Sequence, residues 1–215
     1  MEIAITGTSG LIGKHLINYL CDKSHNVFGF GQNTFRSINK NNFFYFQNDL
    51  QDNLKMKQVL SSKKIDYFIH LAAIQSKECE NDPFSCFEFN VVKTLEIAKI
   101  CIKNKVKNFV FPSTIHVYSE CKPENNVIIP SINNSNYQNS KIIIEYLFSS
   151  LSKQSETNFQ ILRLSNLIAS KENHQQNIPS LLFVNEICNQ AIKNRCIILN
   201  SSPNTKRDFI TIKYF

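Results

Sequence analysis

Residues 1–21, MEIAITGTSGLIGKHLINYLC, decide the fold of this chain. The apolar run at residues 3–5 predicts a buried strand, which leads into a turn containing Gly7, Gly10 and Gly13. Apolar residues then recur at helical spacing, at Leu11, Ile12, Leu16, Ile17 and Leu20. A helix that follows a glycine-rich turn can hold the phosphates of a dinucleotide at its N-terminus. A tight turn with no ligand is the alternative, but three of the chain's five glycines lie here, which favours the nucleotide.

Length and composition place the chain among globular proteins. Its 215 residues, 42% of them hydrophobic, suffice for one large domain, or for one domain and part of a second. Apolar stretches are too short to cross a membrane, and a strand follows Met1 directly, so we expect neither a signal peptide nor a membrane partner. The net charge of +7 comes from dispersed lysines, so we predict no nucleic-acid binding.

The cysteines and histidines indicate the cellular compartment of the chain and whether it binds a metal ion. The seven cysteines are odd in number and form no C-x-x-C pair, which favours free thiols in the cytoplasm over disulfides or zinc. No two histidines stand at ligand spacing on one helix, so we expect no metal.

Strand and helix patterns alternate along most of the chain. After the first strand, apolar runs predict strands at residues 26–30, 43–46, 65–69, 108–111 and 159–164, and a short one at 196–199. One helix is predicted to end near residue 62, and three more are predicted at residues 84–104, 142–151 and 179–194. The helical segment at 84–104 has a predicted core stripe of Phe87, Val91, Leu95, Ala98 and Ile102. The alternation predicts an α/β fold, a Rossmann-type doubly wound parallel sheet with helices on both faces.

Candidate cofactor residues follow the second and third strands. An acidic residue that would bond the ribose of NAD is missing after residue 30. Arg36 could instead meet the 2′-phosphate of NADP, or be a solvated loop residue, so NAD and NADP both stay open. Asp49 could begin the next helix as its N-cap, as could Asp52.

The residues suited to chemistry follow the fifth strand. That strand ends in Ser113 and Thr114, and Tyr137 and Lys141 then stand four residues apart, on one helical face. A lysine ammonium beside a phenol favours the phenolate and is expected to lower the pKa of Tyr137. Tyr137 could then move a proton on or off a hydroxyl as hydride is transferred. Alone, such a Tyr/Lys pair usually marks an exposed helical turn, and only its place in the chain makes it a strong signal.

These motifs together resemble the extended short-chain dehydrogenase/reductase family, which includes nucleotide-sugar epimerases and dehydratases. The shared patterns are G-x-x-G-x-x-G, H-L-A-A at residues 70–73, S-T-I-H-V-Y-S at 113–119 and Y-Q-N-S-K at 137–141. The resemblance implies that Thr114 assists catalysis with Ser113 beside it, that Tyr137 is the acid/base, and that Lys141 tunes Tyr137 and binds ribose. Ser119 replaces the family's usual glycine.

The resemblance also implies a set of cofactor contacts. Asp49 and its neighbour Leu50 would lie against the adenine, the H-L-A-A segment beneath the cofactor, and Asn90 matches the family's F-x-x-N-V asparagine. We interpret His70 as a packed histidine at a strand end and not as a catalyst. The predicted cofactor-binding residues are Gly7, Ser9, Gly10, Leu11, Ile12, Gly13, Arg36, Asp49, Leu50, Leu71, Ala72, Ala73, Asn90, Tyr137 and Lys141.

Two further matches implicate the end of the chain in substrate binding. Asn166 lies in a segment similar to the family's R-x-x-N pattern, although Ile168, Ala169 and Ser170 depart from it. Arg207 lies in R-D-F and would grip a diphosphate, which suits a guanidinium, unless it is only a surface charge.

The resemblance implies an NAD(P)-dependent nucleotide-sugar enzyme that serves surface-polysaccharide sugar biosynthesis and forms a homodimer through the helices after Phe84 and Tyr137. Epimerase is weakly favoured, with a 4-keto reductase or a non-catalytic NAD(P)-binding module as alternatives. Ile115 follows Thr114 where a dehydratase would carry an acidic pair. We expect a dinucleotide-binding domain at residues 1–170 and the start of a substrate-binding region at 171–215. Relative to the family, we expect the C-terminal substrate domain to be largely absent, either because the chain is a fragment or because the enzyme lacks its usual lid.

Overall fold

A computed structural model describes residues 1–32, 38–48, 53–118, 132, 135–169, 183–199, 202 and 204–214. Arg36, Asp49, Leu50 and Ser119 lie outside these residues. The chain divides into two compact units, Met1–Arg163 and Leu164–Phe215.

The first unit is built on a six-stranded sheet in the order β3-β2-β1-β4-β5-β6. The strands are β1 (Glu2–Thr6), β2 (Asn26–Gly31), β3 (Phe43–Gln47), β4 (Tyr67–His70), β5 (Asn108–Thr114) and β6 (Asn158–Leu164). Strand β1 runs parallel to both β2 and β4, and Thr6 is in register with Phe30 on one side and His70 on the other. The order reverses between β1 and β4, where doubly wound sheets open a ligand crevice at their carboxyl ends. The predicted Rossmann-type fold is confirmed.

Helices cover both faces of this sheet. They are α1 (Leu11–Asp22), α2 (Leu54–Ser62), α3 (Ser76–Asn81), α4 (Pro83–Phe87), α5 (Thr94–Lys103) and α6 (Asn136–Ser152), with a 3₁₀ turn at Ile115–Tyr118. Ile3 and Ile5 pack with Ile17 of α1 on one face. The alternate residue, Ala4, belongs to a larger cluster on the other face, formed with α2, α5 and α6.

Phenylalanine rings form the centre of the larger cluster. The Phe148 ring of α6 lies 5.2 Å from Phe109 and 5.3 Å from Phe111, both on β5, and 4.6 Å from Phe159 on β6. Such contacts stabilise a core beyond the apolar area that they bury. They fix α6 against the strand that ends in Ser113 and Thr114.

The long helix predicted at residues 84–104 is interrupted. Asp82 caps α4 by accepting a hydrogen bond from the Ser85 N–H, and a π-helical stretch, Glu88–Lys93, separates α4 from α5. A π-helix holds more residues per turn, so it rotates the following side chains around the axis. Of the predicted core stripe, Ala98 is buried and Val91 and Leu95 are half-buried against the larger cluster. The prediction is wrong at Phe87 and Ile102, which are half-buried and belong to neither cluster. The buried positions are Cys86, Asn90, Thr94, Ile97, Ala98 and Cys101.

The second unit contains a two-stranded parallel sheet and a helix. Strand β7 (Asn166–Ile168) pairs with β8 (Phe209–Thr211), and α7 spans Phe183–Asn194. A 3₁₀ turn at Ile212–Tyr214 follows β8. The strand predicted at residues 196–199 is wrong, because the Ile198 N–H donates to the side-chain oxygen of Gln190 and not to a neighbouring strand.

The expectation of free thiols alone is also wrong, because Cys79 of α3 and Cys86 of α4 form a disulfide. Cys21, Cys101, Cys188 and Cys196 are free thiols. Within the described ranges, no group of three or more His, Cys, Asp or Glu side chains could hold a metal ion. The helices described are all too short or too polar to span a membrane.

Candidate functional site

The glycine-rich turn after β1 is shaped by two close backbone approaches. Gly7 has a φ of +72°, and a Cβ there would lie 2.7 Å from the Ala72 backbone nitrogen. A Cβ on Gly13 would lie 2.3 Å from the Gly7 carbonyl oxygen. Side chains at these positions would force the turn away from β4 and from α1, respectively. Glycine is therefore required for the turn to reach the β1/β4 switch point.

The N-terminus of α1 is open for a ligand. Its N-cap residue, Gly10, has no side chain with which to cap the helix, and Ser9 and Gly10 are exposed. The first N–H groups of a helix have no intrahelical partner and carry the positive end of its dipole. The amides of Leu11, Ile12 and Gly13 therefore offer a site for a phosphate.

The segment after β4 lies beside this turn. The Leu71 N–H donates to the Thr6 carbonyl at 3.3 Å, and the Ala72 N–H donates to the Thr6 hydroxyl at 3.3 Å. Leu71, Ala72 and Ala73 are half-buried. They lie where the H-L-A-A motif predicts a cofactor floor.

Asn90 holds the backbone that follows the H-L-A-A segment. Its side-chain oxygen accepts from the Ile74 N–H at 2.8 Å, and its amide nitrogen donates to the Ile74 carbonyl at 3.0 Å. The residue is 3% exposed. Its amide thus bonds the protein's own backbone and positions the segment after β4, while the predicted direct cofactor contact of Asn90 stays a prediction.

His70 is a packed strand-end histidine, as predicted. Its Nδ1 lies 2.7 Å from the Thr6 hydroxyl and its Nε2 lies 3.0 Å from the Thr94 hydroxyl. Desolvation, with a smaller contribution from the Lys141 charge, lowers the pKa of His70 to about 3. A neutral ring with both nitrogens occupied joins β1, β4 and α5.

Lys141 lies buried on α6 with its ammonium aimed at the end of β5. It is 5% exposed, and its Nζ donates to the Pro112 carbonyl at 3.0 Å. The Nζ also stands 4.4 Å from the centre of the Phe111 ring and 5.6 Å from that of Tyr137. Desolvation lowers the pKa of Lys141 to about 8, against the opposing effect of the Glu145 carboxylate.

Tyr137 shares that face of α6, but its predicted pKa shift is wrong for the protein without ligands. Burial raises the pKa of the Tyr137 phenol. The physical reason is the direction of the Lys141 ammonium, which bonds the Pro112 carbonyl and leaves desolvation of the phenol as the dominant effect.

Ser113 and Thr114 end the strand beside Lys141. The Thr114 hydroxyl accepts from the His116 N–H at 3.2 Å. The Ser113 hydroxyl is buried and has no hydrogen-bond partner in the part of the chain that the structure describes. An unpaired buried hydroxyl costs free energy, so Ser113 is a candidate for a hydrogen bond to a group other than the described residues.

Glu145 and Arg163 extend this cluster, and sequence reasoning did not find their pairing. Glu145, 6% exposed, lies one helical turn beyond Lys141 and forms an ion pair with Arg163 at 2.6 Å. Arg163 also hydrogen-bonds the Tyr118 hydroxyl and stacks 4.7 Å over its ring. The four-residue spacing places Glu145 on the face of Lys141, but it gives no signal for the partner on β6. The pair connects α6 to the 3₁₀ turn that follows Thr114.

The second unit holds both predicted substrate residues. The Asn166 side-chain amide donates to the Asp208 carbonyl at 2.9 Å. The Arg207 guanidinium stacks 4.4 Å over the Phe183 ring. Arg207, Phe183 and Glu186 line a cavity of about 180 Å³ together with Gln190 and Ile198.

Sequence comparison identifies the family to which this geometry belongs. The profile of the NAD dependent epimerase/dehydratase family matches residues 3–213. The chain belongs to this family.

Among curated proteins, the chain is 27% identical over a 230-residue alignment to dTDP-D-glucose 4,6-dehydratase of Dictyostelium discoideum, covering 95% of the chain and 51% of the relative. It is 31% identical over 136 residues to UDP-glucose 4-epimerase of Caenorhabditis elegans, covering 55% of the chain and 39% of the relative. The chain therefore spans about half of these relatives or less.

Among solved structures, the chain matches UDP-N-acetylglucosamine 4-epimerase of Methanobrevibacter ruminantium, solved with UDP-N-acetylmuramic acid, with a TM-score of 0.81 and 20% identity over 99% of the chain and 69% of that structure. UDP-glucose 4-epimerase of Thermus thermophilus, solved with NAD, gives a TM-score of 0.78 at 20% identity, over 99% of the chain and 71% of that structure. These likenesses show the fold.

Proposed function

We propose that this chain is the nucleotide-binding and catalytic part of an NAD(P)-dependent oxidoreductase that acts on a nucleotide-linked sugar. One observation carries the proposal. The buried Lys141 lies beneath the Tyr137 ring and bonds the carbonyl that precedes Ser113, whose hydroxyl has no hydrogen-bond partner among the described residues. These groups lie at the carboxyl edge of a sheet that also bears the glycine turn. This is an acid/base pair beside a dinucleotide crevice.

The residues present fit a dinucleotide. The amides of Leu11, Ile12 and Gly13 would take its phosphates, and Ala72 and Ala73 would lie beneath it. On the same edge of the sheet, the Ser113 hydroxyl is a buried polar atom that no described residue pairs. When bound, the cofactor accepts and returns a hydride. The described residues leave NAD and NADP both open.

Tyr137 is proposed as the acid/base. Removing a proton from a sugar hydroxyl requires a phenolate, and a cation close to the phenolic oxygen stabilises that form. Lys141 can supply this charge if its ammonium turns from the Pro112 carbonyl toward the phenol and the ligand. Thr114, with Ser113 beside it, would hold the same sugar oxygen by a hydrogen bond.

The substrate class rests on the second unit and on the relatives. A guanidinium stacked on an aromatic ring is held in place to bind a diphosphate, which supports Arg207 in that role, with Asn166 on the neighbouring strand. The dehydratase and epimerase relatives are named for dTDP-D-glucose and UDP-glucose. Epimerase remains the favoured reaction, because Ile115 stands where a dehydratase would carry an acid.

A cytoplasmic homodimer is part of this proposal. Phe84, Val92 and Tyr146 are 90%, 48% and 61% exposed, and all three lie on the helical segments expected to form the dimer. Burying such side chains against a second copy would remove apolar surface from water. Light scattering should give twice the mass of the chain, and a monomer at micromolar concentration would contradict the dimer.

The test is turnover by the purified chain with UDP-glucose, UDP-N-acetylglucosamine and dTDP-glucose, each with NAD or NADP. Products are separated by chromatography, and reduced cofactor is followed by its absorbance. Tyr137→Phe should lower the rate by about a hundredfold or more, as expected for loss of a general acid/base. Tyr19→Phe, near the end of α1 and 55% exposed, is the matched control. Wild-type turnover by Tyr137→Phe would refute the proposal.

A further inference from the structure

Helix α3 contacts the beginning of α6 through a carboxylate. The Ser135 hydroxyl donates to Oε1 of Glu80 at 2.9 Å, and the Asn136 side chain donates to Oε2 at 2.9 Å. The backbone N–H groups of Asn136 and Tyr137 also hydrogen-bond to this carboxylate. Partial desolvation raises the pKa of Glu80, but these hydrogen bonds lower it more, so the net shift is downward. The carboxylate therefore sits on the positive end of α6.

A second set of contacts reaches the same turn from the disulfide. The Asn90 amide nitrogen lies 3.5 Å from the Cys79 sulfur and 3.6 Å from the Cys86 sulfur. It lies 3.3 Å from the Ser140 hydroxyl, and that hydroxyl donates to the Tyr137 carbonyl at 2.7 Å. The backbone of Tyr137 is thus held at both its N–H and its carbonyl.

The disulfide is the covalent link behind both sets of contacts. Cys79 directly precedes Glu80 on α3, and both cysteines of the disulfide are fully buried. Helix α3 has only six residues, Ser76–Asn81, and such a short helix has little stability of its own. Without the S–S bond, only hydrogen bonds and packing contacts would hold Glu80 opposite the start of α6.

We propose that α3 is a thiol-sensitive brace for Tyr137, in which Glu80 positions the first turn of α6 and the Cys79–Cys86 disulfide holds α3 in place. A dithiol reductant opens the brace. The reductant gives two electrons and two protons, the S–S bond breaks into two thiols, and the reductant becomes a disulfide. Because both sulfurs are buried, reduction requires local opening of α3 and α4, and we expect it to be slow.

The catalytic importance of the brace rests on the proposed function, in which Tyr137 is the acid/base. The brace itself can be tested without turnover. The assay is hydrogen exchange of the peptide at residues 135–141, in the wild-type chain before and after full reduction by dithiothreitol. Reduction should speed exchange by about three- to tenfold, the range that corresponds to loss of a helix cap. Equal exchange in the oxidised and reduced chains would refute the disulfide's part.

Variants separate the two components of the brace. Glu80→Gln should speed exchange in the oxidised chain by a similar factor, whereas Glu78→Gln, an exposed acid on the same helix, should leave it unchanged. The Cys188→Ser/Cys196→Ser variant, which lacks the two thiols exposed among the described residues, should still respond to dithiothreitol. Exchange of residues 1–32 reports whether each variant keeps its fold. Unchanged exchange in Glu80→Gln would refute the role of Glu80.

Kinetics distinguish positioning of Tyr137 from a general loss of structure. If the chain turns over a nucleotide-sugar, Glu80→Gln should lower kcat by about threefold or more while the KM for the sugar holds, because the acid/base moves and the substrate contacts do not. A rise in KM with unchanged kcat would overturn the positioning role. If no sugar is turned over, the proposed function fails and hydrogen exchange still decides the brace.

Discussion

The two glycines at the start of α1 provide a sharp test, because alanine should act differently at each. In Gly13→Ala the new Cβ would lie 2.3 Å from the Gly7 carbonyl oxygen, whereas ordinary contact begins at 3.4 Å. The turn or the helix must therefore shift by about 1 Å, and overpacking of this kind costs about 1–3 kcal/mol. Better helix propensity for alanine offsets at most about 1 kcal/mol of that cost.

Gly10→Ala is the matched control for this clash. Its Cβ would lie 3.3 Å from the same oxygen, so a displacement of a few tenths of an ångström accommodates it. The methyl group would, however, stand where the backbone approaches the phosphates. We expect near wild-type stability and cofactor binding weakened about tenfold, or about 1.4 kcal/mol.

Urea unfolding followed by circular dichroism measures the first effect, and calorimetric titration with NAD and NADP measures the second. Gly13→Ala should lower the urea midpoint and Gly10→Ala should not. Wild-type stability in Gly13→Ala would refute the packing argument. Wild-type affinity in Gly10→Ala would refute the placement of the phosphates.

Three further predictions concern ionisable side chains in and around the site. Because the folded pKa of His70 lies near 3 and the unfolded value near 6.5, the unfolded chain binds the extra proton. As the pH falls from 6.5 to 3, the free energy of unfolding measured with urea should fall by up to about 1.4 kcal/mol per pH unit. His70→Asn should reduce this slope, and an unchanged slope in that variant would contradict the argument. The pKa of Lys141 is lowered to about 8, so the free energy of unfolding of the wild type relative to Lys141→Met should rise between pH 8 and 10.5. Parallel pH profiles of the wild type and the variant would count against the burial of the ammonium. Arg163→Met removes the ion-pair partner of the Glu145 carboxylate and should lower the free energy of unfolding by about 2–4 kcal/mol, measured by thermal or urea unfolding. Adding Glu145→Gln should recover part of this loss. Strictly additive losses in the double variant would exclude the coupling.

Local patterns were sufficient to predict the fold and the outline of the site. The glycine turn fixes the strand-to-helix unit at Gly7–Gly13, and the four-residue spacing places Tyr137 and Lys141 on one face of α6. His70 was predictable as a packed residue because it ends a buried strand. These inferences use only the period of an element and the side of the sheet on which it ends.

Features that depend on the angle between elements were not predictable. The Cys79–Cys86 disulfide joins two short helices whose crossing no periodicity specifies, and the π-helical stretch turns Asn90 toward Ile74. The pKa of Tyr137 depends on where the Lys141 ammonium points, which spacing alone does not determine. In the second unit, the predicted short strand is replaced by a side-chain contact from Gln190.

The central claim is that the first unit holds a dinucleotide at the glycine turn. Calorimetric titration of the purified chain with NAD, and then with NADP, tests it most directly. The account predicts saturable binding of at least one of them at one site per chain, and stronger binding of NADP would implicate Arg36. A folded chain that binds neither would contradict the account, and the proposed chemistry of Tyr137 and Lys141 would fall with it.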